Sequence, residues 1–180
     1  MNRVVILLVL SFFLIVSCIR KKEKASNIDN ISISYITGYI NTQVPFVCGQ
    51  IPAILPAIRK DTILVDEKIL SEVEQQIKVL QNLKMDSTTC DIRLQCKIFY
   101  RNKTSSSICI GMFNCIIKDN LRMCKNDNLT YLIKRHSGYY NYFSKEDLAY
   151  FDELKQFGIP NDYKDLRRVN SLDSIPLSPQ

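Results

Sequence analysis

The chain has 180 residues, with 24 Lys and Arg against 18 Asp and Glu, a net charge of +6, seven cysteines and no tryptophan. That length holds one domain with a real core. The positive charge is mild and evenly spread, with no basic stripe interleaved with aromatics, so nucleic acid is not an expected partner.

The first element is MNRVVILLVLSFFLIVSC. Arg3 is its only charge, and residues 4–16 are apolar except for Ser11. This run is shorter than the about 20 residues that span a bilayer as a helix. A positive start, a short apolar run and a small-residue end describe a secretory signal. Ile15-Val16-Ser17-Cys18 resembles the lipobox of bacterial lipoproteins. The resemblance implies cleavage after Ser17 and acyl chains on the sulfur and nitrogen of Cys18. Two or more such chains give stable anchoring. Ile19, rather than Asp, after the cysteine implies the outer membrane. The basic Arg20-Lys21-Lys22 implies the periplasmic face more than the cell surface. The resulting division is a signal over 1–17, a lipidated and charged tether over 18–30, one domain over 31–158 and a C-terminal tail over 159–180.

ISISYITGYI (31–40) reads as a strand with one apolar face. Residues 41–60, with Pro45, Pro52 and Pro56, read as an irregular apolar loop. DTILV (61–65) reads as a short strand, and Asp66 as the N-cap of a helix running to about Leu83. Ile69, Leu70, Val73, Ile77, Leu80 and Leu83 share that helix's apolar face. Glu72, Glu74, Gln75, Lys78, Gln81 and Asn82 share the other. Residues 90–98 alternate, with Cys90, Ile92, Leu94, Cys96 and Ile98 on one side of a half-buried strand. A tight turn at 101–104 returns the chain through 105–118. A second turn at Asp119-Asn120 leads to a strand over 121–124. A helix over 127–136 stops at Gly138. GYYNYF follows as a short strand or turn. Ser144 opens a helix to about Phe157 with a capping-box-like start, and the last twenty residues read as a mobile tail or a loose wrap. The expected fold is α+β: an antiparallel meander of about four or five strands against two or three helices.

Six cysteines remain beyond Cys18, and an exported chain with an even count raises a disulfide framework. A two-residue loop at Asn102-Lys103 would set Cys96 opposite Cys109 and Cys90 opposite Cys115. The turn at Asp119-Asn120 would also set Cys115 opposite Cys124, so Cys90–Cys115 and Cys115–Cys124 compete. Packing of free thiols in the core is the other reading. No C-x-x-C is present, so no metal or other cofactor is expected.

No nucleophile motif or phosphate loop appears. His136, the one histidine, reads as a surface residue at a helix C-terminus. The carboxylate pairs at helix starts read as caps. Tyr139, Tyr140, Asn141 and Tyr142 form the best binding candidate, as tyrosines and an amide that stack on and hydrogen-bond a sugar or a partner protein. The expected function is a non-enzymatic, membrane-anchored envelope module binding a protein or a glycan. The alternatives are an envelope immunity or inhibitor protein and a carboxylate-based hydrolase.

Overall fold

A computed structural model describes residues 25–40, 44–54, 56–83 and 90–167. The signal-like segment, Cys18 and residues 168–180 lie outside the described residues. The fold is α+β, built on a six-stranded antiparallel sheet: β1 (Ile28–Ile36), β2 (Arg59–Leu64), β3 (Ile92–Tyr100), β4 (Ser105–Gly111), β5 (Ile116–Lys118) and β6 (Leu121–Met123), in spatial order β2-β1-β3-β4-β5-β6. That is one strand more than the sequence led us to expect. The fold starts earlier too. Ser26 is buried and β1 begins at Ile28, inside the stretch assigned to the tether. The wrap at the other end is packed: Leu166 N donates to Asn141 O and Tyr163 OH to Phe143 O.

β1 alternates as expected, placing Ile31, Ile33 and Tyr35 toward the helices. β2 and β3 are both antiparallel to β1, hence parallel to each other. Such a pair needs a crossover, and helix α1 (Glu67–Lys78) supplies it. Asp66 caps α1 by accepting from Lys68 N and Ile69 N, both at 3.0 Å. The helix ends at Lys78, not Leu83. The segment 81–83 instead covers β6: Leu83 N donates to Arg122 O and Cys124 N to Gln81 O. An open sheet edge offers hydrogen bonds that a helix ending in Gln-Asn does not match.

The β3–β4 turn decides the cysteine pattern. Tyr100 N donates to Thr104 O, and Lys103 N donates to Tyr100 O with Lys103 at φ +69°. The loop is therefore Arg101-Asn102-Lys103, one residue longer than expected. Cys96 now pairs with Ile108 and Cys109 with Gln95. A one-residue shift turns a side chain to the other face of the sheet, so Cys96 and Cys109 point in opposite directions. The expected Cys96–Cys109 disulfide does not form: Cys96 is a buried thiol. A bulge between Ile92 and Leu94 then carries Cys90 and Ile92 to the Cys109 side. The return strand is also broken, by a turn at 112–115 with Asn114 at φ +57°. The β5–β6 turn at Asp119-Asn120 is as expected, both residues having positive φ.

Helix α2 (Asp127–His136) spans the expected residues, and Asn126 caps it by accepting from Leu129 N. The expected 144–157 helix is two short ones, α3 (Lys145–Leu148) and α4 (Asp152–Phe157). Ser144 and Asp147 form the capping box of α3. Phe151 separates the two helices and turns into the core.

The main core lies between the sheet and the helices. A smaller one, on the other face, packs Ile36, Ile92 and Cys109 under the segment 44–54. Two disulfides hold it: Cys48–Cys109, Cα atoms 5.7 Å apart, and Cys90–Cys115, 6.0 Å apart. In the chain-entropy account, loops of 61 and 25 residues give about 4 and about 3.5 kcal/mol respectively. Cys124 is a thiol, so Cys115 is bonded to Cys90 and not to Cys124.

Candidate functional site

The tyrosines singled out by the sequence build the core instead of a binding face. Tyr139 and Tyr140 are 1% and 2% exposed, in a 3-10 turn over Tyr139–Tyr142. Tyr139 packs edge-on to Tyr35 and tilted against Phe143. Tyr140 meets Phe151 edge-on at 5.9 Å. Such pairs contribute about 0.5–1.5 kcal/mol each beyond their buried area. Asn141 is half-buried, and its Oδ1 accepts from Lys164 N, so it holds the C-terminal wrap. Tyr142 is half-buried beside Tyr35. Burial of Tyr139 and Tyr140 removes this segment as a stacking platform.

The aromatic chain continues outward through Tyr131 to Phe157, and there it meets solvent. These two rings stack, 4.6 Å apart and 23° from parallel. They line a groove of about 340 Å³ between α1, α2 and the end of α4. Glu72, Gln75 and Gln76 form one wall. The α1 periodicity that sends Leu70 and Val73 into the core leaves these three outward. Asn128, Tyr131 and Leu132, at i, i+3 and i+4 on α2, form the other. Gly158, at φ +73°, ends α4 and sets Phe157 at the rim. The Arg135 guanidinium lies over the Tyr131 ring at 5.9 Å. The groove thus combines an aromatic pair, three amides and one carboxylate, with Arg135 beside the Tyr131 ring.

Beneath it, a buried polar cluster joins α2 to α4. Lys134 Nζ lies 2.7 Å from Glu153 Oε1 and donates to Asn114 Oδ1 at 3.3 Å. Tyr140 OH donates to the same Glu153 oxygen at 3.0 Å. Asn114 Nδ2 donates to Asp127 Oδ1 at 2.8 Å. Burial disfavours both charges. For Glu153 that cost is outweighed by the Lys134 ammonium, and its carboxyl titrates below the usual range. For Lys134 burial wins over Glu153, and the ammonium is pulled down. Lys134 and Glu153 are sealed from solvent, and the cluster serves as a structural pin.

Two other depressions are walled by groups already engaged with each other. One, about 590 Å³, is lined by Asn27, Glu74, Tyr100 and Arg101. There Glu74 holds the start of the fold, and Arg101 is paired with Glu67 at 2.6 Å. The other, about 420 Å³, includes Glu146, Tyr163, Asp165 and Arg167. Arg167 is shared between Asp165 and Asp147. His136, at the end of α2, is half-buried, and burial and then Arg135 pull its pKa down. Among the described residues, no cluster of His, Cys, Asp and Glu has the makings of a metal site. No described helix is long and apolar enough to cross a membrane.

The groove residues escaped the sequence reading because amides on a helix exterior look like ordinary solvated surface. The one available signal was Tyr131 with Arg135 four residues on. No family model, curated protein or solved structure matches the chain.

Proposed function

We propose that this protein is a lipid-anchored module of the bacterial envelope, held through Cys18 on the periplasmic side of the outer membrane, that binds a glycan in the α1–α2–α4 groove. The pattern Ile15-Val16-Ser17-Cys18 supports the anchor. The disulfides Cys48–Cys109 and Cys90–Cys115 support an oxidising compartment outside the cytoplasm. The stacked Tyr131–Phe157 pair beside Gln75, Gln76, Asn128 and Glu72 carries the binding reading. Aromatic rings accept the C–H faces of a pyranose, and amides with a carboxylate satisfy its hydroxyls. The Glu72 carboxylate in the lining works against phosphorylated and acidic ligands. The groove is at the small end of ligand pockets, about 300–1,000 Å³, which suits a short neutral or amino sugar.

Two measurements test the two parts separately. Intact mass of wild type and Cys18→Ser, purified from membranes, tests the anchor. The expected wild type begins at residue 18 with added acyl mass, and the variant lacks it. An unacylated wild type overturns the anchor. Calorimetric titration of the full chain with a β-1,4-linked N-acetylglucosamine tetramer tests the groove. Saturable binding is expected, weakened about tenfold by Tyr131→Ala or Phe157→Ala and more mildly by the exposed Gln75→Ala. Absence of binding, or binding indifferent to all three changes, overturns the glycan reading and leaves the anchor result standing.

A further inference from the structure

The β5–β6 ladder pairs Ile117 with Arg122 and Ile116 with Met123. The ladder ends there, and the same register continued by one residue would set Cys115 opposite Cys124. The backbone bonds fix the kind of pair this is. Cys115 O accepts from Gly111 N, on the β4 side, and Cys124 N donates to Gln81 O, on the outer side. Neither of these groups is turned toward the other strand, which is the pattern of a non-hydrogen-bonded pair. Cα atoms of such pairs are about 4.5 Å apart, at the short end of the range a disulfide bridges. By strand alternation Cys115 and Cys124 share the face of Ile117 and Arg122. Cys115 is nevertheless bonded to Cys90, and Cys124 is a half-buried thiol. The other free thiol among the described residues, Cys96, is fully buried among the core isoleucines, and burial pushes its pKa far up, so it takes no part.

We propose that Cys90, Cys115 and Cys124 form a thiol–disulfide exchange site in which Cys115 has two alternative partners. The Cys124 thiolate attacks Cys115 Sγ. The Cys115–Cys124 bond forms and the Cys90–Cys115 bond breaks. Cys90 leaves as a thiolate and takes up the proton that Cys124 gave up. No net oxidation occurs, so no further reactant is required. The exchange moves a staple. Cys90–Cys115 ties the start of β3 to the β4–β5 turn, whereas Cys115–Cys124 ties β5 to β6 within one hairpin. Exchange releases the strand start whose Asp91 accepts from Phe46 N, donated by the segment that Cys48 pins, and pairs with Arg93 at 2.5 Å.

The test uses the full chain with Cys90→Ser, refolded in a glutathione redox buffer, quenched with N-ethylmaleimide, digested without reduction and mapped by mass spectrometry. The Cys115–Cys124 cross-linked peptide is expected as the dominant form, beside an intact Cys48–Cys109. Maleimide on both Cys115 and Cys124 with Cys48–Cys109 intact overturns the proposal. Should Cys90→Ser lose Cys48–Cys109 as well, the decision passes to the wild type without added thiol. There a minor Cys115–Cys124 species is expected at equilibrium and is lost in Cys124→Ser. Its absence overturns the proposal.

Discussion

Lys134 and Glu153 meet at 2.7 Å with side chains 1% and 0% exposed, and this contact fastens α2 to α4 beneath the groove. A buried ion pair contributes little relative to apolar residues of the same shape, but breaking it strands a charge. Lys134→Ala leaves the Glu153 carboxylate with Tyr140 OH and no cation. The expected loss is about 3–5 kcal/mol. The double variant Lys134→Met/Glu153→Leu is expected to recover most of it. Urea denaturation measures both. A loss under about 1 kcal/mol for Lys134→Ala would show that the pair does not carry this junction.

Glu74 anchors the start of the fold to α1. Its Oε2 accepts from Ser26 Oγ and Asn27 N, its Oε1 accepts from Asn27 Nδ2, and Lys78 Nζ lies 2.6 Å away. Partial burial works against the charge, but Lys78 and these donors outweigh it and hold the carboxyl at about 2. The folded pKa lies below the unfolded one. The stabilisation is therefore fully present above about pH 4.5 and is lost as pH falls toward about 2. Glu74→Gln is expected to cost on the order of 2 kcal/mol at neutral pH and to flatten the acid limb of the stability profile. Denaturant midpoints taken across that range decide it. An unchanged acid limb in the variant would locate the acid sensitivity elsewhere.

Lys103 closes the β3–β4 turn at φ +69°, a conformation costing a residue with a Cβ about 1 kcal/mol. Lys103→Gly is expected to stabilise the protein by up to about 1 kcal/mol and Lys103→Val to destabilise it. Thermal melts check the signs, and a destabilised glycine variant would contradict the three-residue turn.

Cys48–Cys109 pins the 44–54 segment over the second face of the sheet. Cys48→Ala/Cys109→Ala removes a staple worth about 2–4 kcal/mol. Amide exchange is expected to rise in residues 44–54 and to change little in α1 and α2. Uniform loss of protection would mean that the second face folds together with the first.

Much of the architecture was legible in local pattern. Asp66, Ser144 and Gly138 sit where capping chemistry puts helix ends, and Asp119-Asn120 is a turn because these residues tolerate positive φ. Alternation in β1 and the 3.6-residue period in α1 reported which face is buried. Those rules act within a few residues, so the chain itself states them. The cysteine pairing depended on one extra residue in the β3–β4 loop and one bulge at Ile92–Leu94. Each flips the facing of every later side chain at small energetic cost, so spacing alone left the register open. Glu74, placed on the solvated face by periodicity, is buried because Ser26 and Asn27 arrive from a distant part of the chain. The groove has the same origin. Gln75, Tyr131 and Phe157 belong to three helices, and only their packing makes one surface of them. Short-range sterics and capping were determined by the sequence itself; register, partner choice and the groove were decided by tertiary structure, because long-range packing selects among local options of nearly equal energy.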